Sequence, residues 1–346
     1  MNKMGMAVIG CGTWGEAHAE IYASEPWTRL VAVCDRDEAR AKTLAGRYGC
    51  RYFTDCREML RNDEIKAVGV VTPDFAHADP VVAAAEAGKH ILVEKPLATT
   101  WPDAERIVRA VKKAGVQVMV DFHNRWNPPI FRIKRDLESG EPGKVVHAYA
   151  RLSDTIYVPT EMLSWAAKSS ILWFLGSHSL DTLTWLIGFR VKRVYATSSK
   201  GVLAARGIDV PDVYQATLEY ENGAVAQMEN GWIIPNANPH VNDYKLNLTC
   251  EHAAFSMDYS HHRLLERVYE TRLDRPDVIC KPHVQGKAVG LAHESLRDFI
   301  DCVYHDKPVK VPLADSVNVT RVLLAIMESA EKRLPVEVAP IDLDTL

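Results

Sequence analysis

Met6-Ala7-Val8-Ile9-Gly10-Cys11-Gly12-Thr13-Trp14-Gly15 joins a short apolar run to a G-x-G-x-x-G segment, and Glu16–Ala23 continues with a helical pattern. Strand, glycine turn and helix in that order build a phosphate cradle. The first glycine permits a tight turn, the second lets backbone approach a pyrophosphate, and the third lets helix and strand pack closely. The helix N-terminus adds N–H donors and the positive end of a dipole. Leu30–Cys34, the next apolar run, ends at Asp35, 20 residues after Gly15. An acid there accepts hydrogen bonds from an adenine ribose, so Asp35 points to NAD, because a carboxylate repels a 2′-phosphate. Arg36 beside it can stack on adenine or pair with a phosphate, which keeps NADP as the alternative.

Outward from this segment the strand–helix alternation repeats. Glu38–Tyr48 reads as a helix ending at Gly49. Ala67–Val71, His90–Val93 and Val116–Val120 read as strands buried on both faces, with helices at His77–Ala87 and Pro102–Ala114 between them. Such repetition predicts a parallel sheet with helices on both faces. Beyond Asp121 the pattern changes. Asn127-Pro128-Pro129 breaks the chain, and longer alternating strands follow, with Val213–Tyr220 and Ala224–Asn230 flanking the turn Glu221-Asn222-Gly223. The expected fold is α/β: an N-terminal Rossmann dinucleotide-binding domain over residues 1–122. Residues 123–346 then form an α+β domain with an open, mostly antiparallel sheet for substrate binding and oligomerisation.

Composition narrows the class. The 346 residues include 41 Lys plus Arg against 45 Asp plus Glu, a net charge of -4, which offers no basic field for nucleic acid or an anionic membrane. No apolar run approaches the roughly 18–20 residues of a membrane helix. The seven cysteines form no CxxC pair, and no export-type segment precedes Met6, so a cytoplasmic protein is expected. The 13 histidines include no HxxxH or HExxH, and the side chains of the adjacent His261-His262 point apart or are offset; no metal is expected.

Candidate chemistry gathers at strand ends, which face the ligand in an open parallel sheet. Thr72 and Pro73 follow one strand and are read as lining the cofactor. His77 comes next; it is read as capping or packing the helix it begins, and is carried with the cofactor residues. Glu94-Lys95-Pro96 follows the next strand. A lysine there can hydrogen-bond a substrate hydroxyl and stabilise the alkoxide that develops as a hydride leaves.

These residues, with Asn124-Arg125 and Gly176-Ser177-His178-Ser179-Leu180-Asp181, resemble the Gfo/Idh/MocA family of NAD(P)-dependent oxidoreductases, which includes inositol and sugar dehydrogenases. The resemblance covers nearly the whole chain. It implies hydride transfer between the nicotinamide and a secondary alcohol of a cyclic polyol, sugar or glycoside, in a homo-oligomer, tetramer or dimer. Lys95 resembles the family's active-site lysine and His178 its proton-transferring histidine. Asn124, Arg125 and Trp126 fall near the substrate by the same resemblance. Tyr157, Trp165 and Lys168 are further pocket candidates, with Trp232 to His240 a weaker one. The chain departs from the family's Asp-x-Gly-x-His: Phe174 stands where the aspartate is usual. Phe174 can stack on a sugar face or line an apolar wall, and Asp181, three residues after His178, can take part of the orienting role. Two other readings remain at this stage: a glycosidase working through transient oxidation, and a cofactor-binding sensor without catalysis.

Overall fold

The computed structural model describes residues 3–260 and 264–343. The chain forms two compact units. The first holds the residues through His123, returns with Cys280–Val317 and includes the last described residues from Asp342; the second holds Asn124–Ile279 and Asn318–Ile341. The sequence reading placed one boundary near residue 122. The contacts add a return of the chain, which no local pattern encodes because it consists of long-range packing.

In the first unit, six strands form a parallel sheet: β1 (Met4–Ile9), β2 (Thr28–Cys34), β3 (Arg51–Phe53), β4 (Ile65–Val70), β5 (His90–Val93) and β6 (Val118–Val120). Their order is β3-β2-β1-β4-β5-β6. This is the doubly wound dinucleotide order, whose reversal between β1 and β4 opens a crevice at the strand ends. The helices are α1 (Thr13–Ser24), α2 (Glu38–Tyr48), α3 (Cys56–Leu60), α4 (Ala78–Glu86) and α5 (Trp101–Ala114), joined later by α8 (Leu291–Tyr304). Their ends follow from sequence. Asp37 accepts from the backbone N–H groups of Ala39 and Arg40 to start α2, and Gly49 ends it at φ 65°. Thr100 caps α5 and Gly115 closes it in the left-handed region.

The second unit carries a seven-stranded sheet. Its labelled strands are β7 (Val145–Asp154), β8 (Val191–Ser199), β9 (Val213–Tyr220), β10 (Val225–Gly231), β11 (Asn242–Cys250) and β12 (Ala254–Asp258); the short strand Val336–Glu337 completes it beside β8. All pairs are antiparallel except β7 with β10. Alternation sets its faces: Tyr214, Ala216, Leu218 and Tyr220 of β9 are buried, whereas Gln215 and Thr217 are exposed. Helices α6 (Pro128–Glu138) and α7 (Ser177–Ile187) belong to this unit, and α9 (Leu313–Lys332) brings the chain back to it. Asn230 of β10 donates to the Ser179 hydroxyl of α7 at 3.0 Å and to the Leu152 carbonyl of β7 at 2.8 Å, tying helix to sheet. Ser329 of α9 accepts from the Ala196 N–H of β8 at 2.9 Å. Among the described residues, no helix is long and apolar enough to cross a membrane.

Leu92 in β5 is completely buried and immediately precedes Val93 and Glu94. Leu92→Ala should cost about 2–5 kcal/mol by deleting buried methyl groups and leaving a cavity. Chemical denaturation followed by circular dichroism measures it; a cost under about 1 kcal/mol would show that the strand is not closely packed.

Candidate active site

At the end of β1, Gly10 has φ 106°, and a Cβ there would lie 2.7 Å from the Val71 carbonyl oxygen. A Cβ on Gly15 would lie 2.0 Å from the Gly10 carbonyl oxygen. Both contacts are closed to any side chain, so the loop turns tightly and α1 starts directly against β1. Gly12 is different: no atom lies within 4 Å of where its Cβ would be. Gly12 is also the N-cap of α1, and no side chain caps it. The first turn of the helix, with Thr13 and Trp14, thus presents N–H groups to an open approach, as a pyrophosphate requires.

Asp35, at the end of β2, is locked in place. Its Oδ2 accepts from the Cys11 N–H at 2.7 Å and its Oδ1 from the Asp37 N–H at 2.9 Å. Burial, then the Asp35 charge, push the Cys11 thiol up to about 12, so it stays protonated within the loop. The carboxylate is half-exposed, with lone pairs left for ribose hydroxyls, and Arg36 is exposed beside it. These features fit a dinucleotide.

At the ends of β4 and β5 a single side chain joins two segments. The His77 ring is buried, with Nδ1 2.7 Å from the Pro96 carbonyl oxygen and Nε2 3.0 Å from the Thr72 carbonyl oxygen. Although His77 precedes α4, it makes no side-chain cap there; its ring ties the Thr72-Pro73 turn to the Lys95-Pro96 segment, whose peptide is cis. Burial lowers the His77 pKa, with the two carbonyls opposing. Lys95 is half-buried, whereas Glu94 is buried, its Oε1 3.6 Å from His18 Nε2, an electrostatic contact too long for a hydrogen bond. Burial would raise the Glu94 pKa, but His18, Lys95 and His123 outweigh it and hold the carboxyl below its ordinary value. Asp121 completes a buried trio with His18 and Glu94, their donor atoms within 4.8 Å of one another. No linear motif announces this trio: its members are 76 and 27 residues apart in sequence. His18 Nδ1 also meets the Tyr22 hydroxyl at 3.1 Å.

The second unit gathers the other candidates. His178 is buried in the first turn of α7, directly after a π-helical segment, Leu172–Gly176, that carries Phe174. Phe174 packs edge to face on Trp165, ring centroids 6.3 Å apart. Arg125 and Asp181, both buried, face each other: Nε–Oδ2 is 3.0 Å and Nη2–Oδ1 is 2.6 Å. Arg125 was expected near the substrate and Asp181 beside His178; each oxygen of Asp181 accepts one hydrogen bond from the Arg125 fork. Asn124 Nδ2 donates to the Tyr244 hydroxyl at 3.5 Å, which in turn meets Thr182 Oγ1 at 3.5 Å. His178, Asp181 and Thr182 share a helical face by their spacing, and sequence reasoning had missed Tyr244 and Thr182. Trp126 is half-buried. Tyr157 is exposed, its N–H held by Asn236 Oδ1 at 2.8 Å. Trp232 was grouped with a polar loop but is fully buried, its indole N–H on the Pro211 carbonyl at 2.9 Å. The pair His261-His262 lies outside the described residues.

Comparison with known proteins identifies the family and the fold. Residues 4–122 match the model of the oxidoreductase family GFO_IDH_MocA, NAD-binding Rossmann fold, and residues 130–256 match the GFO/IDH/MocA C-terminal domain. Levoglucosan dehydrogenase of Pseudarthrobacter phenanthrenivorans is 27% identical, with 99% of this chain and all of that protein aligned. The scyllo-inositol 2-dehydrogenase (NAD(+)) of Bacillus subtilis is 27% identical over 96% of this chain and 95% of its own. Among solved structures, scyllo-inositol dehydrogenase from Lactobacillus casei with bound NAD(H) and scyllo-inositol superposes with a TM-score of 0.83. Its identity is 18%, and the match covers 98% of this chain and all of that one.

Removing one partner of the Arg125–Asp181 pair strands a buried charge. Asp181→Ala should cost about 3–5 kcal/mol, while the double variant Arg125→Met, Asp181→Leu should recover most of it. Urea denaturation of the three proteins measures both. Equal stability of Asp181→Ala and the parent would show that the pair is solvated.

Proposed function

Because this chain belongs to the Gfo/Idh/MocA family of oxidoreductases, we propose that it is an NAD-dependent dehydrogenase of a secondary alcohol on a cyclic polyol, sugar or glycoside. The observation that carries the reading is Lys95: half-buried at the end of β5, beside the buried anion Glu94, in the unit that holds the dinucleotide loop. Relatives named for oxidation of inositols and of levoglucosan support the substrate class. When bound, the nicotinamide supplies the hydride acceptor or donor.

The chain's own residues do the rest. The Lys95 ammonium hydrogen-bonds the substrate oxygen and stabilises the negative charge that develops there. Glu94 and His77 hold its segment, the first by charge and the second through the Pro96 carbonyl. His178, fixed on α7, takes the hydroxyl proton in oxidation and returns it in reduction. Asn124, through the Tyr244 hydroxyl, and the Trp165–Phe174 pair give the substrate unit a polar and an aromatic surface. Asp35 selects NAD by its fixed carboxylate, with Arg36 as the feature that admits NADP.

Lys95→Ala should lower kcat about 100–1,000-fold while NAD binds with nearly unchanged affinity. NADH formation across a panel of inositols, pyranoses and anhydrosugars, paired with calorimetric titration of NAD, tests this. Unchanged turnover would remove Lys95 from the chemistry, and glycoside cleavage without NADH would favour the glycosidase reading.

We infer also a homo-oligomer formed through the open face of the seven-stranded sheet. That face carries Tyr149, Tyr195, Thr197, Gln215, Thr217 and Gln227, side chains able to pack and hydrogen-bond against a second copy. The seven cysteines are all free thiols, which fits a reducing compartment such as the cytoplasm. Thr217→Arg, in the middle of that face, should reduce the mass measured by light scattering to that of one chain. A wild-type protein that is already a single chain at micromolar concentration would overturn the interface.

A further inference from the structure

Lys281 lies where the chain returns to the first unit, at the foot of a small hairpin, His283–Val284 with Lys287–Ala288. The hairpin base is closed by two backbone hydrogen bonds, Val289 N–H to the Pro282 carbonyl at 2.9 Å and Ala292 N–H to the Cys280 carbonyl at 3.0 Å. It is also pinned to α1 and α8. His283 Nε2 is 2.7 Å from Glu20 Oε1 of α1. Arg297 of α8 donates to the Ala288 carbonyl and to Glu25 Oε1, each at 2.7 Å. The backbone of Lys281 is therefore held from several sides.

From that position its ammonium stands over the indole of Trp14, 4.9 Å from the ring centroid. Trp14 is the second residue of α1, inside the G-x-G-x-x-G segment, and its ring also stacks on His123 with centroids 5.5 Å apart and planes at 26°. Each partner comes from a different part of the chain: the loop after β1, the segment after β6, and the return at residue 281. The loop Gly10–Gly15 contains no lysine or arginine, Asp35 accepts from its Cys11 N–H, Glu16 follows it, and the cation acting on Cys11, Arg40, stands on α2. The helix N-terminus offers a pyrophosphate dipoles but no full charge. Lysine serves phosphate as a compact point charge, and an indole can hold it at the ready by cation–π attraction.

We propose that Lys281 is a cofactor-binding residue, whose ammonium pairs with the pyrophosphate of the dinucleotide at the rim of the Gly12–Trp14 turn. This rests on the NAD site proposed above, and it adds a contribution from the carboxyl-terminal third of the chain to a site otherwise built from residues before 123.

The test is calorimetric titration of the full chain with NAD and with ADP-ribose, for the wild type, Lys281→Met and Lys281→Arg, at low and high salt. Methionine keeps an apolar stem on Trp14 and removes the charge. Lys281→Met should weaken both ligands about tenfold, Lys281→Arg should restore them to within about threefold, and the difference should shrink at high salt. Adenosine, which has no phosphate, should bind the three proteins equally. Equal affinity of wild type and Lys281→Met for NAD would overturn the inference alone. A loss that extends to adenosine, with a lower melting temperature, would assign Lys281 to packing and overturn it too. A wild type that binds neither NAD nor ADP-ribose would overturn the dinucleotide site itself, and this contact with it.

Discussion

The approach of α1 to β1 is the constraint on which the first unit depends. With the Gly10 carbonyl oxygen 2.0 Å from where a Cβ on residue 15 would stand, only glycine lets the helix begin there. The turn at Gly10 meets the Val71 carbonyl from the other side, so β1, α1 and the end of β4 are fixed together at one point. The strand order then reverses between β1 and β4, and the ends of β2, β4 and β5 bring Asp35, Thr72 and Lys95 to one edge of the sheet. The loop reaches further by hydrogen bonding: the Cys11 N–H holds Asp35, so the carboxylate at the end of β2 is positioned by the same glycine turn.

Where chain chemistry is local, the sequence was a sufficient guide. Glu38–Tyr48 and Val213–Tyr220 have the boundaries expected from pattern alone. For the first, a capping aspartate and a left-handed glycine mark the ends. For the second, strict alternation and a tight turn do so. What sequence did not show is short or non-local. Strand β3 is three residues on a sheet edge, and α3 is five residues, too brief for periodicity. Strand β8 alternates Val191, Val194 and Ala196 with charged and polar residues in a broken rhythm, and its register with β9 is shifted between Val191 and Arg193. The π-helical widening at Leu172–Gly176 has no residue signature at all.

The candidate site divides in the same way. The glycine loop, Asp35 and the strand-end Lys95 are legible because motif and strand position coincide. The partners that fix them are not, since they arrive from distant parts of the chain. His77 looked like a cap or packing residue and is a tie between two turns, because its ring sits among carbonyls contributed by Thr72 and by Pro96, the latter 19 residues after His77 itself. His18 looked like a helix residue and belongs to a buried trio with Glu94 and Asp121. Arg125 and Asp181, 56 residues apart, form a buried pair that no linear spacing announces.

That last pairing bears on what Phe174 means. A carboxylate four residues before His178 would place an acceptor in the turn that leads into α7. Phe174 removes the acceptor and adds a ring that packs on Trp165. Asp181 is on the same helical face as His178, but its charge is balanced by Arg125, in a pair buried too deeply to separate without leaving an ion unpaired. The carboxylate near His178 is thus offset by Arg125, and the second unit adds neutral polar groups: the hydroxyls of Tyr244 and Thr182 and the amide of Asn124. Neutral donors and aromatic faces suit a hydroxyl-rich ring, since each hydroxyl can both give and accept a hydrogen bond while the ring's C–H faces pack on carbon. A second ion buried beside the Arg125–Asp181 pair would lose its hydration while those two charges already offset each other.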